Sequence, residues 1–424
     1  MDPIFLKVVL GTMLLASSAA VVGAFSYLKQ QSLVGDAIAH ALLPGVVLAF
    51  ILGEGRHPLY LIIGALVAGL VAHYGISFIQ LRSKLKSDTA TSLVLSTFFG
   101  FGIMLMSYVQ RIGKGQQAGL ERYLLGKAAA ITMVDVYTFS GLALFLLLGV
   151  GLFYKGFQLM AFNQDFAHAI GLPVVFIRLT FTVLTVLAVT IGIQTVGVVL
   201  MAALLITPSA AARAWTKSLP SMLLIAALIA AVSAATGTLI SSSIAKMPTG
   251  PWVVLVLGAL GFGSLLFAPE KGLLFKRRRA REHRAKTLRE NLLKLLYSQE
   301  ERQEKRVKLS KAGIMQIRPM REEDVKRGLR DLKKRLWIVE RRESKAPSYS
   351  LTDLGRVEGR RVVRLHRLWE LYLTERLGMA ADHIHPQAET MEHVITPEIE
   401  SLLIKELGTP ERDPHQSVIP YENK

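Results

Sequence analysis

The sequence predicts an all-α protein in two parts, a polytopic helical membrane segment of about nine spans and a polar helical tail. Three observations carry this. Of the 424 residues, 51% are hydrophobic and the mean hydropathy is +0.38, too apolar for a water-soluble chain with an ordinary charge load. Charge is unevenly divided: residues 1–270 hold 15 basic and 8 acidic side chains, and residues 271–424 hold 35 and 24. Apolar runs near the roughly 20 residues that a helix needs to cross a hydrocarbon core of ~30 Å recur along the first part and stop at about residue 268. The chain has no cysteine, so disulfides and thiolate metal sites are excluded and any metal is left to His and carboxylate ligands.

The apolar runs are 4–25, 37–53, 58–80, 90–109, 131–153, 173–193, 195–212, 220–243 and 251–268. The second is short, and the stretch around Gly192 to Thr195 reads as one kinked helix or two. Met1-Asp2-Pro3-Ile4 lacks the basic start of a signal peptide, so the first run is expected to be a retained span. Small residues such as Ser17-Ser18-Ala19-Ala20 and Ala230 to Ala235 let membrane helices approach closely. Positive charge orients the topology. With nine spans, the basic groups Arg82, Lys84 and Lys86, then Arg213 and Lys217, then Lys271 and Lys276 to Arg279 fall on one side, expected to be cytoplasmic. Lys114, Arg122 and Lys127 fall on the other.

A basic linker follows at about 271–287 and is expected to lie on anionic headgroups. Beyond it, Leu288, Leu292, Leu295 and Leu296 repeat at helical spacing, and Arg321 to Leu336 reads as an amphipathic helix. The region from Leu309 to Pro319 fits a regular helix poorly. Trp337 to Glu340 and Tyr349 to Thr352 predict a short hairpin, and Val357 to Leu377 a long helix. Thr396 followed by Pro397 has the residue types of an N-cap and a first helical position.

Two clusters carry chemistry. Gly35-Asp36-Ala37-Ile38-Ala39-His40-Ala41-Leu42-Leu43-Pro44-Gly45 sets Asp36 and His40 four residues apart, on one helical face. A carboxylate and an imidazole so placed can ligate a divalent cation, and ionisable groups inside a span are costly enough to signal function. An Asp–His pair lining a polar helix contact is the structural alternative. In the tail, Glu389, Glu392 and His393 share a helical face, His366 and Glu370 are four apart, and His385 lies four before Glu389. These three His and three Glu, within 28 residues, suit a hard-to-borderline metal, the alternative being a solvated helix face. The chain holds no Gly-x-x-x-x-Gly-Lys-Ser/Thr loop, so it binds no nucleotide by that motif and needs a separate ATPase for power. No arrangement of nucleophile, base and oxyanion donors suggests an enzyme.

The Gly35 to Gly45 stretch resembles the signature of permeases of ATP-driven zinc, manganese and iron importers. The resemblance covers about residues 5–268 and includes Asp88-Thr89-Ala90, Asp165 to Pro173, and Thr195 to Ala212. It implies that Asp36 and His40 carry the transported metal. It also implies that Asp165, Ala169 and Gly171 belong to a short cytoplasmic helix that docks on the ATPase. The implied partners are that ATPase subunit, a periplasmic or extracellular metal-binding protein and a second permease copy or paralogue. The implied place is the bacterial cytoplasmic (inner) membrane, with the tail in the cytoplasm.

Leu351 to Arg356, Arg364 to Glu370, Glu392 to Ile395, Asp413-Pro414-His415 and Ile419-Pro420 resemble the diphtheria-toxin-repressor family, metal-dependent regulators with a winged helix and a dimerisation domain. The match is strong over 349–420 and weak over 288–348. It divides the chain into a permease (1–270), a basic linker (271–287), a degenerate winged-helix-like segment (288–348) and a metal-binding, dimerising domain (349–424). By resemblance His366, Glu389, Glu392 and His393 fall on metal ligands, and His366, Glu370 and His385 match an ancillary site. The implied cofactor is a divalent ion, Mn or Fe before Zn. Glu389 stands where iron-type members have Cys, as in manganese-type members. The first helix of the family supplies an acidic or Met ligand, but Asn291 and Lys294 occupy those places here. No SH3-like domain is expected after Pro420. DNA is a candidate partner through Arg321, Lys326, Arg327 and Arg330, although Glu322, Glu323 and Asp324 place like charge against phosphate. Three readings therefore stand: a transporter subunit with a metal-sensing tail, a membrane-tethered transcription regulator released by proteolysis at the linker, and a permease whose tail only dimerises.

Overall fold

The computed structural model describes residues 3–29, 32–53, 58–111, 133–243, 249–342, 346–380 and 384–421. The loop with Lys114, Arg122 and Lys127 lies outside them. The chain divides into two compact units, Met1–Lys276 and Arg277–Lys424.

The first unit is helical throughout: α1 (Pro3–Leu28), α2 (Ser32–Ala41), α3 (Leu43–Leu52), α4 (Pro58–Arg82), α5 (Ser87–Arg111), α6 (Met133–Leu152), α7 (Tyr154–Phe162), α8 (Gln164–Ala169), α9 (Val174–Val196), α10 (Val198–Trp215), α11 (Leu219–Ser243) and α12 (Thr249–Phe267). Its centre is alanine-rich. Ala16, Ala19, Ala20 and Ala24 on α1 join Met222, Ala226, Ala230 and Ala234 on α11 and Leu204 and Leu205 on α10 in one buried cluster. Small side chains at three- and four-residue spacing let these helices pack closely where lipid supplies no hydrophobic drive. Helices α3 and α4 cross closely, where a Cβ on Gly45 would lie 2.1 Å from the Gly64 carbonyl oxygen and one on Gly64 would lie 2.3 Å from that of Gly45.

All nine apolar runs carry helices, but the expectation of nine full-length spans is not met. Among the described residues six helices are long and apolar enough to cross a membrane, and seven if α6 and α7, bent by 66°, form one broken span. At Gly197 a φ of 85° and ψ of 166° end α9 and start α10, so the stretch around Gly192 to Thr195 resolves into two helices rather than one kinked helix. Only glycine tolerates that backbone conformation readily.

The second unit begins within α13 (Leu273–Gln303) and continues with β1 (Leu309–Ser310), α14 (Lys311–Ile317), α15 (Glu322–Lys334), β2 (Ile338–Arg342), β3 (Pro347–Leu351), α16 (Asp353–Glu375), α17 (His385–Met391) and α18 (Pro397–Leu407). The basic linker is helical, because residues 273–303 contain neither Gly nor Pro and are rich in Leu, Arg, Lys, Glu and Ala. The three antiparallel strands order as β1-β3-β2, with Leu309 opposite Tyr349 and Ile338 opposite Leu351. The expected hairpin is thus present and gains a third strand.

The poor helix expected at Leu309 to Pro319 is a correction. Ser310 caps α14 by accepting from the Gly313 N–H at 3.2 Å, and fully buried Ile314 anchors the helix. Tertiary packing overrides weak propensity there. Leu292, Leu293, Leu295 and Leu296 of α13 form one core with Ile314, Val325, Leu329, Leu332, Ile338, Tyr349 and Leu351, an arrangement of the winged-helix type. Strand β3 runs across position 349. At the far end Thr396 caps α18, its hydroxyl accepting from the Ile399 N–H at 3.4 Å.

Candidate metal sites and docking helix

In the membrane unit, α2 presents Asp36 and His40 on one face, with Asp36 Oδ1 3.5 Å from His40 Nε2. Both side chains are partly exposed, and the His40 ring meets the Phe99 ring edge-on at 5.0 Å. Among the described residues no Lys or Arg pairs with either. Pro44, in the first turn of α3, has no N–H to return to the His40 carbonyl four residues earlier. That leaves a third oxygen beside the two side chains without its usual helical donor.

Asp165, Ala169 and Gly171 lie together on and just after α8. Asn163 caps this helix, its side chain accepting from the Phe166 N–H at 2.9 Å. Ala167 is fully buried and roots the helix, whereas Asp165, His168, Ala169 and Gly171 are exposed. Phe166 and Ile170, one helical turn apart, are also exposed and were not singled out in the sequence. Their apolar i, i+4 spacing on a short polar helix was the available signal. One cavity is lined by Lys29, Gln80, Gln164 and Arg178, so the ends of α1 and α4 and the starts of α8 and α9 lie at one end of the bundle. Lys217 pairs with Glu270 at 2.7 Å, and Lys271 donates to the Arg213 carbonyl at 3.0 Å, so two of the basic loops are also neighbours.

In the second unit the six predicted ligands separate into two groups. His366 Nε2, Glu370 Oε1 and His385 Nδ1 converge: His366 to Glu370 is 3.0 Å, His385 to Glu370 is 2.9 Å, and His366 to His385 is 3.1 Å. Helix α16 places the first two on one buried face, and α17 brings His385 over them from the solvent side. Adjacent donors bound at about 2.1 Å to one octahedral ion lie about 3.0 Å apart. The three atoms therefore fit one face of such an ion's coordination shell. Burial would raise the Glu370 carboxyl, but hydrogen bonds from His366 and His385 hold it down to about 2. Burial would lower His366, yet its bonds to Glu370 and Glu392 raise it above the usual range.

Glu392 and His393 stand beside this triad rather than in it. Glu392 Oε2 accepts from His366 Nδ1 at 2.5 Å. A carboxylate on Nδ1 leaves the Nε2 lone pair to face the other two donors, the usual outer support of a metal-bound His. His393 Nδ1 makes the same kind of bond to Glu290 Oε2 at 2.7 Å. Glu389 turns to Arg318 at 3.4 Å and lies 3.8 Å from His385 Nε2. Glu290 was missed in the sequence; its signal was the four-residue spacing to Lys294 on α13. Lys294 itself was visible only as a missing ligand, whereas its ammonium reaches Glu392 Oε2 at 2.8 Å and His366 Nδ1 at 2.9 Å.

The cations expected on DNA all lie on or at the start of α15. Lys326 pairs with Glu322 at 2.7 Å and Arg327 with Glu323 at 4.0 Å, while Arg321 and Arg330 are exposed. The acidic first turn thus engages two of the four.

These features define a polytopic helical membrane permease carrying a winged-helix, metal-regulator-like tail. The chain belongs to the ABC 3 transport family, which matches residues 1–268, and residues 352–421 match the iron-dependent repressor metal-binding and dimerisation domain. It is 38% identical over 373 residues to the manganese transport system membrane protein MntC of Bacillus subtilis, covering 88% of this chain and 85% of that one. It is 29% identical over 458 aligned residues to a probable metal transport system membrane protein of Chlamydia trachomatis, covering 100% and 97%. Among solved structures, PsaBC from Streptococcus pneumoniae in complex with Fab superposes with a TM-score of 0.56 at 33% identity, over 63% of this chain and 92% of that one.

Proposed function

We propose that the first unit conducts a divalent transition metal ion through Asp36 and His40, and that the tail senses the same class of ion at His366, Glu370 and His385. The observation that carries the sensing half is the convergence of three metal-type donors at mutual distances of 2.9–3.1 Å on a buried helix face. The conducting half is supported by a carboxylate and an imidazole 3.5 Å apart on one face of a span, beside the carbonyl freed by Pro44. The names of relatives favour manganese as cargo, and a carboxylate-bearing triad without sulfur suits Mn²⁺ or Fe²⁺ better than a thiophilic ion. Helix α8, through Asp165, Phe166, Ala169, Ile170 and Gly171, is the docking surface for a separate ATPase. An external metal-binding protein delivers the ion, and a second permease copy completes the pathway.

The end of the bundle that holds α8 and the basic loops faces the cytoplasm of a bacterial inner membrane, which puts the tail there as well. In this reading 1–270 is the permease, 271–287 the basic connection, 288–348 the winged segment and 349–424 the metal-binding part. Radiolabelled manganese uptake tests the pathway. Asp36→Asn and His40→Ala should each abolish uptake while membrane insertion is unchanged. Uptake at the wild-type rate by both variants would exclude Asp36 and His40 as the transport site.

A further inference from the structure

Regulators of the type the tail resembles place a ligand from the first helix beside residues matching Glu389, Glu392 and His393. The residues here do not fit a metal at that place. Lys294 projects from α13 into it, with its ammonium 2.8 Å from Glu392 Oε2 and 2.9 Å from His366 Nδ1 and its side chain only 13% exposed. The neighbouring carboxylates are matched as well: Glu389 faces Arg318 at 3.4 Å, and Glu290 faces Lys286 at 3.8 Å. Each carboxylate of this cluster already has a cation supplied by the chain. Glu370 differs, since among the described residues its partners are the two imidazoles of His366 and His385.

Glu392 Oε1 and His393 Nε2 are buried without a hydrogen-bond partner and lie 3.7 Å apart, the start of an ion site. A divalent ion entering there would share Glu392 with the largely buried Lys294 ammonium. Repulsion between like charges is poorly screened inside a protein.

We propose that Lys294 is a tethered cation that replaces a metal ion in the Glu389, Glu392 and His393 cluster, leaving His366, Glu370 and His385 as the tail's single ion site. The ammonium is present at any metal concentration, so this cluster keeps its shape without metal. The response to metal is then confined to the triad, which solvent reaches past His385, whose side chain is 57% exposed. This rests on the reading of the tail as a metal sensor.

The test counts ions. The full chain carrying Asp36→Asn and His40→Ala, so that the tail alone is counted, is dialysed against Mn²⁺ and its metal content measured by mass spectrometry. The expected result is one ion per chain, lost in Glu370→Gln, kept in His393→Ala, and raised by one in Lys294→Glu. Lys294→Leu, which removes the charge without adding a ligand, is the second variant and should take the extra ion with lower affinity. Thermal melts confirm that each variant is folded. No extra ion in either folded Lys294 variant, or loss of the ion in His393→Ala, overturns the proposal. If Glu370→Gln keeps its ion while Lys294→Glu gains one, the tethered cation stands and the triad reading falls.

Discussion

The two proposed ion sites differ in what surrounds them. Asp36 and His40 face each other at 3.5 Å on a partly exposed helix face, without a charged partner among the described residues beyond the pair. His366, Glu370 and His385 sit within a network in which Glu392 supports His366, Lys294 and Arg318 neutralise nearby acids, and Glu370 and Glu392 are buried. A group that binds an ion and must release it is served by few ligands and little outer support. A group that must hold its ion long enough to report on it is served by orienting hydrogen bonds. The contrast teaches that ligand identity is a weaker guide to a site's task than the partners behind the ligands.

The strongest way to break the comparison is to disturb the backbone under the membrane site. Gly45→Ala puts a methyl group 2.1 Å from the Gly64 carbonyl oxygen, which belongs to a backbone that cannot turn aside. Loss of most folded permease is expected, with a cost of at least about 1–3 kcal/mol. Gly258→Ala in α12, which meets nothing within 4 Å, should leave the melting temperature unchanged. Equal melts for the two variants would remove the close crossing as the support of Asp36 and His40.

Next in size is the outer support of the tail site. Glu392→Gln should weaken Mn²⁺ binding at the triad by about 10–100-fold, the usual effect of losing a carboxylate behind a ligating His. Titration calorimetry on the full chain measures it. Unchanged affinity would mean that the triad is as sparsely supported as Asp36 and His40.

The metal-free tail should also show a pH window. His366 is raised in the folded chain above its ordinary 6.5, so its contribution is complete below about 6.5 and fades as pH climbs through the raised value. Glu370 is depressed to about 2 from 4.5, so its contribution is complete above about 4.5 and is lost as pH falls toward 2. Protection of the α16 amides from hydrogen exchange, relative to their intrinsic rates, should therefore be greatest between these limits, and Mn²⁺ should protect more as pH rises because it displaces the His366 proton. A flat profile would show that the triad does not couple to folding. The smallest effect is expected at the surface. Lys326→Ala and Arg327→Ala break exposed pairs along α15 and should each change stability by less than about 0.5 kcal/mol by chemical denaturation. A larger loss would place them in a cooperative network like that of Lys294.

Much of this was legible in the sequence. Apolar run length and a charge-poor first part were enough to predict the helical membrane unit, since a bilayer sets span length by simple geometry. The i, i+4 spacing of Asp36 with His40 and of His366 with Glu370 sufficed to put each pair on one face, because helix periodicity is local. Local patterns also marked the hairpin and the cap at Thr396. They did not reveal α14, whose buried Ile314 draws its stability from helices and strands distant in sequence.

What only the tertiary structure decided was which partners stand behind the six tail ligands. Spacing grouped Glu389, Glu392 and His393, and the resemblance grouped His366, Glu370 and His385, but only the fold handed Glu392 to Lys294, 98 residues away in the chain. The reason is physical. A ligand set is defined by distances of about 3 Å between atoms on different elements, and sequence spacing controls such distances only within a helix or strand. The sequence alone therefore determined which groups were available to bind an ion, and the packing of α13 against α16 and α17 determined which of them converge as a triad and which meet an ammonium.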